Sequence, residues 1–134
     1  MDLRNLTLAD LQPSQFYISA GKLAAVESWL TPQSVPHMDP LPVKLLDGRP
    51  VLTDGHTRCV AARRQGIRHL PLIEDTDDLD WDCYRACVEE CIRRGVHSPE
   101  ALTGRILSDS DYERLWLGWC REMQKNISIR KTTE

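Results

Sequence analysis

Little in this chain is long, greasy or strongly charged. No apolar run approaches the roughly 20 residues needed to cross a bilayer. Asp2, Arg4 and Asp10 break the stretch where the apolar core of a secretory leader would sit. The expectation is a cytoplasmic protein with no membrane partner. Charge of neither sign dominates: 17 Lys+Arg stand against 20 Asp+Glu, a net charge of -3. That excludes a histone-like protein that holds nucleic acid by bulk charge. Aromatic residues make up 6% of the chain and include a single phenylalanine. Trp29, Trp81, Trp116 and Trp119 are therefore read as packing anchors rather than as base-stacking platforms. Internal repeats and low-complexity tracts are absent. Cysteine is present in an odd number, five, which excludes complete internal pairing. Reduced thiols are expected.

What is present suits one domain of 134 residues with unlike halves. Residues 1–72 carry a net +2 and residues 73–134 a net -5. The first segment, Leu6 to Ile18, reads as a short strand flanked by turns. A helix opens at Ser19 or Ala20 and runs to Leu30, with Leu23, Val26 and Leu30 at helical spacing. Pro32, Pro36, Pro40 and Pro42 mark a loop. In PVKLLDGRPVLTDGH, Asp47-Gly48 between apolar runs predicts a tight hairpin. A helix CVAARRQ then ends at Gly66, and Leu70 to Ile73 reads as a strand. Helices are predicted from Trp81 to Arg94, from Ser98-Pro99-Glu100, and from Ser108 to Gln124, with a frayed tail from Lys125. The fold class expected is mixed α/β (α+β): a small mixed sheet over residues 1–75, with a helical extension over 76–134 packed on it.

The chemistry-bearing element is Thr53-Asp54-Gly55-His56-Thr57-Arg58, where a strand turns into a helix. Glycine lets the backbone turn sharply and a ligand come close. The first helical turn offers unpaired N–H groups and a partial positive charge. Arg58 adds a planar fork suited to phosphate or carboxylate. His56 can donate, accept or shuttle a proton near neutral pH. Asp54 can hold a metal or orient His56 or Arg58, and Thr57 can cap the helix or touch a phosphate oxygen. Two readings stand: a phosphate-gripping loop, and a plain helix start capped by Asp54 or Thr57.

The run LPVKLLDGRPVLTDGHTRCVAARRQGIRHLPLI resembles the N-terminal domain of ParB-type chromosome-partition proteins and their sulfiredoxin-like and free-serine-kinase relatives. The likeness covers about Leu8 to Ile73 and is closest to the DGHHR form of the serine kinases. It implies a small α/β fold with nucleotide phosphates over the loop: ATP/ADP or CTP with Mg²⁺, contacted by Thr53, Gly55, His56, Thr57 and Arg58. Asp54 would sit near the metal or substrate, and Asp54 and His56 would be the catalytic pair. Phosphoryl transfer to a small hydroxylated acceptor is the activity implied. The serine kinases place a glutamate base in a Pro-x-Glu element near the start of the domain. The corresponding residues here are Pro13-Ser14-Gln15, and an amide accepts no proton; Glu27, on the next helix, could substitute only if the fold brings it to the loop. His56 stands where sulfiredoxins carry their reactive cysteine, which argues against reductase chemistry. A non-catalytic regulatory module that binds nucleotide or a partner, and a DNA-associated partition-type factor, are the other classes. DNA is not an expected partner without a further module; a second copy of the chain is left open.

Other clusters have simpler readings. Cys83, Cys87 and Cys91 recur on one helix face and could bind a metal with Cys120, but core packing is favoured over metal binding. Glu74, Asp75, Asp77, Asp78, Asp80 and Asp82 favour the positive end of the Trp81 helix over Mg²⁺. Arg63, Arg64 and Arg68 read as a solvated basic face.

Overall fold

Asp-Gly needs both turn positions at positive φ to follow the twist of a two-residue hairpin. In the computed structural model, which describes residues 2–133, Asp47 has φ 52° and Gly48 φ 82°. The turn joins two antiparallel strands whose register pairs Leu46 with Arg49 and Val43 with Leu52. Numbered in chain order, the strands are β1 (Gln12–Pro13), β2 (Ile18–Ser19), β3 (Leu41–Leu46), β4 (Arg49–Leu52), β5 (Leu72–Glu74) and β6 (Ile106–Leu107). The main sheet has the order β1-β4-β3-β5, with β1–β4 and β3–β5 parallel, and β2 and β6 form a separate parallel pair. The fold is mixed α/β, as the sequence implies.

The helices are α1 (Ala20–Glu27), α2 (His56–Arg64), α3 (Trp81–Arg93), α4 (Asp109–Tyr112) and α5 (Gly118–Thr133), the last two joined by a π-helical segment, Glu113–Leu117. Capping residues set their starts: the Ser19 hydroxyl accepts from Lys22 N, and the Asp80 carboxylate accepts from Cys83 N. Helix α2 lies deep, with His56, Cys59, Val60, Ala61 and Ala62 all buried. One apolar core runs from Leu8 and Leu11 through Leu41, Val43 and Val60 to Met123 and Ile127. A smaller cluster of Leu46, Val51 and Val88 seats α3 on the other face of the hairpin.

The lone phenylalanine is the dock for the C-terminal helix. Phe16 is fully buried, with Trp116 and Trp119 edge-on to it at 4.9 and 5.0 Å and the Arg94 guanidinium 4.2 Å from its ring centre.

Several expectations are corrected. Pro42 lies inside β3, tolerated because its carbonyl still accepts from Thr53 N at 3.2 Å. The tail does not fray at Lys125: α5 continues to Thr133, with Ile127 buried against the core. Pro99–Gly104 forms a 3-10 helix instead of an α-helix. Trp29 is 43% exposed, and so is not a core anchor. No helix among the described residues is long and apolar enough to cross a membrane.

Candidate functional site

Gly55 makes the turn from β4 into α2. Its φ of 86° is left-handed, a conformation that strains any residue with a Cβ. A Cβ here would lie closer than 3.0 Å to Leu41 Cδ2 and 2.9 Å from Arg58 Nη2. The Asp54 carboxylate accepts from Gly55 N at 2.8 Å and tightens the turn. Gly55 occupies the N-cap position with no capping side chain, and its carbonyl takes the first helical hydrogen bond, from Cys59 N at 3.1 Å. The N–H groups of His56, Thr57 and Arg58 therefore precede the intrahelical ladder. Neither Asp54 nor Thr57 caps this helix.

Asp54, Gly55, His56, Thr57 and Arg58 line one cleft of about 390 Å³. Gln15, Lys22 and Tyr112 close its other side. Arg58 is steadied by donating from Nη1 to the Asp39 carbonyl at 2.7 Å. Lys22 Nζ lies 5.4 Å over the Tyr112 ring. Gln15 donates to the Tyr17 carbonyl at 2.8 Å and to the Tyr112 hydroxyl at 3.1 Å. Burial holds the Tyr112 phenol above its ordinary range. Two guanidinium or ammonium groups thus face the start of α2, with Asp54 the one carboxylate among the lining residues.

His56 is 4% exposed and accepts from Ser14 N through Nε2 at 3.0 Å. An acceptor at Nε2 puts the ring proton on Nδ1. Burial lowers its pKa to about 4, against a smaller opposing pull from Asp54, so the ring is neutral at pH 7. Its Nε2 lone pair is already committed to the backbone.

Thr53 does not line this cleft. It is buried, and its hydroxyl donates to the buried Asp75 carboxylate at 2.5 Å. Asp75 also accepts from Asp77 N at 3.0 Å, and the Tyr84 hydroxyl donates to the Thr53 carbonyl at 3.3 Å. This network pins the end of β4 just ahead of the turn. Burial first, then Asp75 and Asp54, raise the Tyr84 pKa.

The remaining candidates fall elsewhere. Glu27 pairs with Arg64 at 3.2 Å and does not line the cleft. Arg63 pairs with Glu100. Asp80 caps α3 and Asp82 meets Arg85 and Lys131, while Asp75 serves Thr53. Cys87 and Cys91 are core residues. Burial pushes the Cys91 and Cys59 thiols up to about 12 and Cys120 to about 11. Among the described residues no group of three or more His, Cys, Asp or Glu side chains is arranged to hold a metal ion.

Sequence reasoning missed Lys22 and Tyr112, and it placed Asp75 in the acidic run ahead of α3 without its pairing to Thr53. Lys22 carried a faint signal, since a lysine in the first turn of a helix opposes the dipole. Tyr112 and Asp75 lie 97 and 22 residues from their partners, Gln15 and Thr53, and local pattern gives no sign of either pairing.

No protein-family model and no curated protein matches the chain. Among solved structures it is similar to protein Atu1540 from Agrobacterium tumefaciens, with 17% sequence identity and a TM-score of 0.43. The match covers 70% of this chain and 48% of that one, so the chain spans about half the length of that protein. A likeness this distant says nothing about the chemistry of the cleft.

Proposed function

We propose that the cleft at the start of α2 binds the phosphates of a nucleotide, ATP/ADP or CTP. The observation that carries this reading is the uncapped first turn of α2, entered through Gly55, opening into a cleft that Arg58 and Lys22 also line. Backbone N–H groups, the helix dipole and two cations converge on one anion-sized space. The family resemblance of the DGHTR run points to the same ligand. Asp54 offers one carboxylate toward Mg²⁺, whose remaining ligands would be phosphate oxygens and water.

Binding without turnover fits the side chains better than catalysis. Gln15 stands in the cleft as an amide, and the His56 Nε2 lone pair is occupied by Ser14 N. One observation favours the second reading, phosphoryl transfer to a small hydroxylated acceptor: the exposed Asp54 carboxylate lines the same cleft and can position an acceptor hydroxyl.

Calorimetry with ATP, ADP and CTP, with and without Mg²⁺, tests the proposal. Micromolar to millimolar binding, weakened at least tenfold by Arg58→Ala, is expected; no binding to a folded sample refutes it. Release of ADP from ATP, or of AMP from ADP, that depends on a free hydroxylated amino acid and yields its phosphate ester would establish the transferase reading over the binding module.

A further inference from the structure

A second cleft adjoins the first, and its lining is of a different kind. It measures about 210 Å³ and shares Gln15 and His56 with the phosphate cleft. Beyond them it is walled by Cys83 and Cys87 of α3, by Trp116, and by Cys120, Met123 and Gln124 of α5, with the uncharged polar residues Ser14, Thr53 and Tyr84 completing the lining. None of its lining residues is Lys, Arg, Asp or Glu, whereas the first cleft holds Lys22, Asp54 and Arg58.

That contrast selects the occupant. A charged group entering this space would lose its hydration and meet no counter-charge, which is strongly unfavourable. A zwitterionic acceptor such as a free amino acid is therefore a poor fit. A flat, uncharged ring is a good one: thioether and thiol sulfurs make favourable contacts with aromatic rings, and Trp116 supplies an aromatic wall. The volume suffices, because a cavity of about 150 Å³ takes benzene. Gln124, exposed on the rim, carries the adjacent donor and acceptor that match a donor–acceptor pair on a base edge.

We propose that this sulfur- and aromatic-lined cleft is the nucleobase subsite of the same nucleotide whose phosphates occupy the α2 cleft, with the ligand passing Gln15 from one to the other. The inference rests on the phosphate reading for the nucleotide's orientation. The neutral state of His56 agrees with it, since no buried cation stands between the two spaces.

The test is titration calorimetry of the full chain with ATP, CTP, inorganic tripolyphosphate, adenosine and cytidine, together with Cys120→Phe and Gln124→Ala. At least one triphosphate is expected to bind ten or more times tighter than tripolyphosphate, and the better of ATP and CTP identifies the base. Cys120→Phe, which fills the cleft, should abolish that advantage and leave tripolyphosphate affinity within about twofold. Gln124→Ala, on an exposed position, should weaken nucleotide binding about threefold or more without touching tripolyphosphate, and it decides the matter if Cys120→Phe does not fold. Equal affinity of nucleotide and tripolyphosphate overturns the subsite, as does nucleotide binding indifferent to these variants. Failure of the phosphate reading looks different: tripolyphosphate would not bind, while adenosine or cytidine still would, and would lose affinity in Gln124→Ala. Absence of binding by nucleosides and nucleotides alike overturns the subsite.

Discussion

Replacing Gly55 with alanine puts the turn geometry to a quantitative test. Two effects add. Holding an alanine in the left-handed region costs about 1–2 kcal/mol. The new methyl also falls within 3.0 Å of Leu41 Cδ2 and 2.9 Å from Arg58 Nη2. Arg58 can swing outward, but Leu41 is fully buried in β3 and has nowhere to go. Overpacking of that kind costs about 1–3 kcal/mol. The sum, about 2–5 kcal/mol, is a large share of the roughly 5–15 kcal/mol that stabilises a typical domain. Gly48→Ala is the internal control: its φ is a similar 82°, yet no atom lies within 4 Å of the added carbon. It should show the backbone cost alone. Urea denaturation of the two variants beside the parent gives both values. If Gly55→Ala loses no more stability than Gly48→Ala, to within about 0.5 kcal/mol, the steric argument fails and the turn is more pliable than its geometry says.

Three further outcomes are expected. His56, buried with a pKa of about 4 against 6.5 in the unfolded chain, contributes stability that is fully present above pH 6.5 and is lost as pH falls toward 4, because the unfolded chain there binds a proton that the folded one lacks. The loss reaches about 3 kcal/mol, and stability measured against pH should fall less steeply over that range in His56→Gln than in the parent. Thr53→Val removes the hydroxyl that donates to buried Asp75, and should cost about 1–3 kcal/mol in thermal or urea unfolding; a neutral result would mean that Asp75 finds another donor. The Cys59 and Cys91 thiols, buried and pushed up to about 12, should react with a disulfide reagent at pH 7 only as the protein unfolds, so prompt labelling of either by mass spectrometry contradicts their placement.

The parts of the fold legible in the sequence are those fixed by local chemistry. Asp47-Gly48 gave the hairpin, Ser19 the start of α1, the apolar spacing from Trp81 the start of α3, and the strand–glycine–helix junction its turn, because each depends on residues a few positions apart. The reading failed where tertiary packing decides. Lys125 onward looked like a polar tail, but one buried isoleucine, Ile127, and the length of α5 carry the helix to Thr133. Trp29 looked like an anchor and is 43% exposed. At the site, Asp54 to Arg58 were legible as a unit that lines one cleft, whereas Thr53, just ahead of them, turns its hydroxyl to Asp75. The far wall was not: Lys22 and Tyr112 reach the cleft from α1 and α4, and periodicity within one helix does not say which cleft a side chain will line.

The same distant contacts explain why position 15 carries an amide. Gln15 Nε2 donates both to the Tyr17 carbonyl and to the Tyr112 hydroxyl. A glutamate there would set a carboxylate against the Tyr17 carbonyl with no proton between them, and the part-buried pair would repel. The hydrogen bond to Tyr112 also ties the segment after β1 to α4, while Ser14, one residue earlier, ties it to His56 of α2. Ser14-Gln15 is therefore the joint at which the motif helix and the C-terminal helices meet, and Gln15 and His56 line both clefts. The acidic C-terminal segment does more than buttress the core: Tyr112 closes one cleft, and Trp116, Cys120, Met123 and Gln124 wall the other. Both clefts are lined by the two segments together, and residues 1–75 alone close neither.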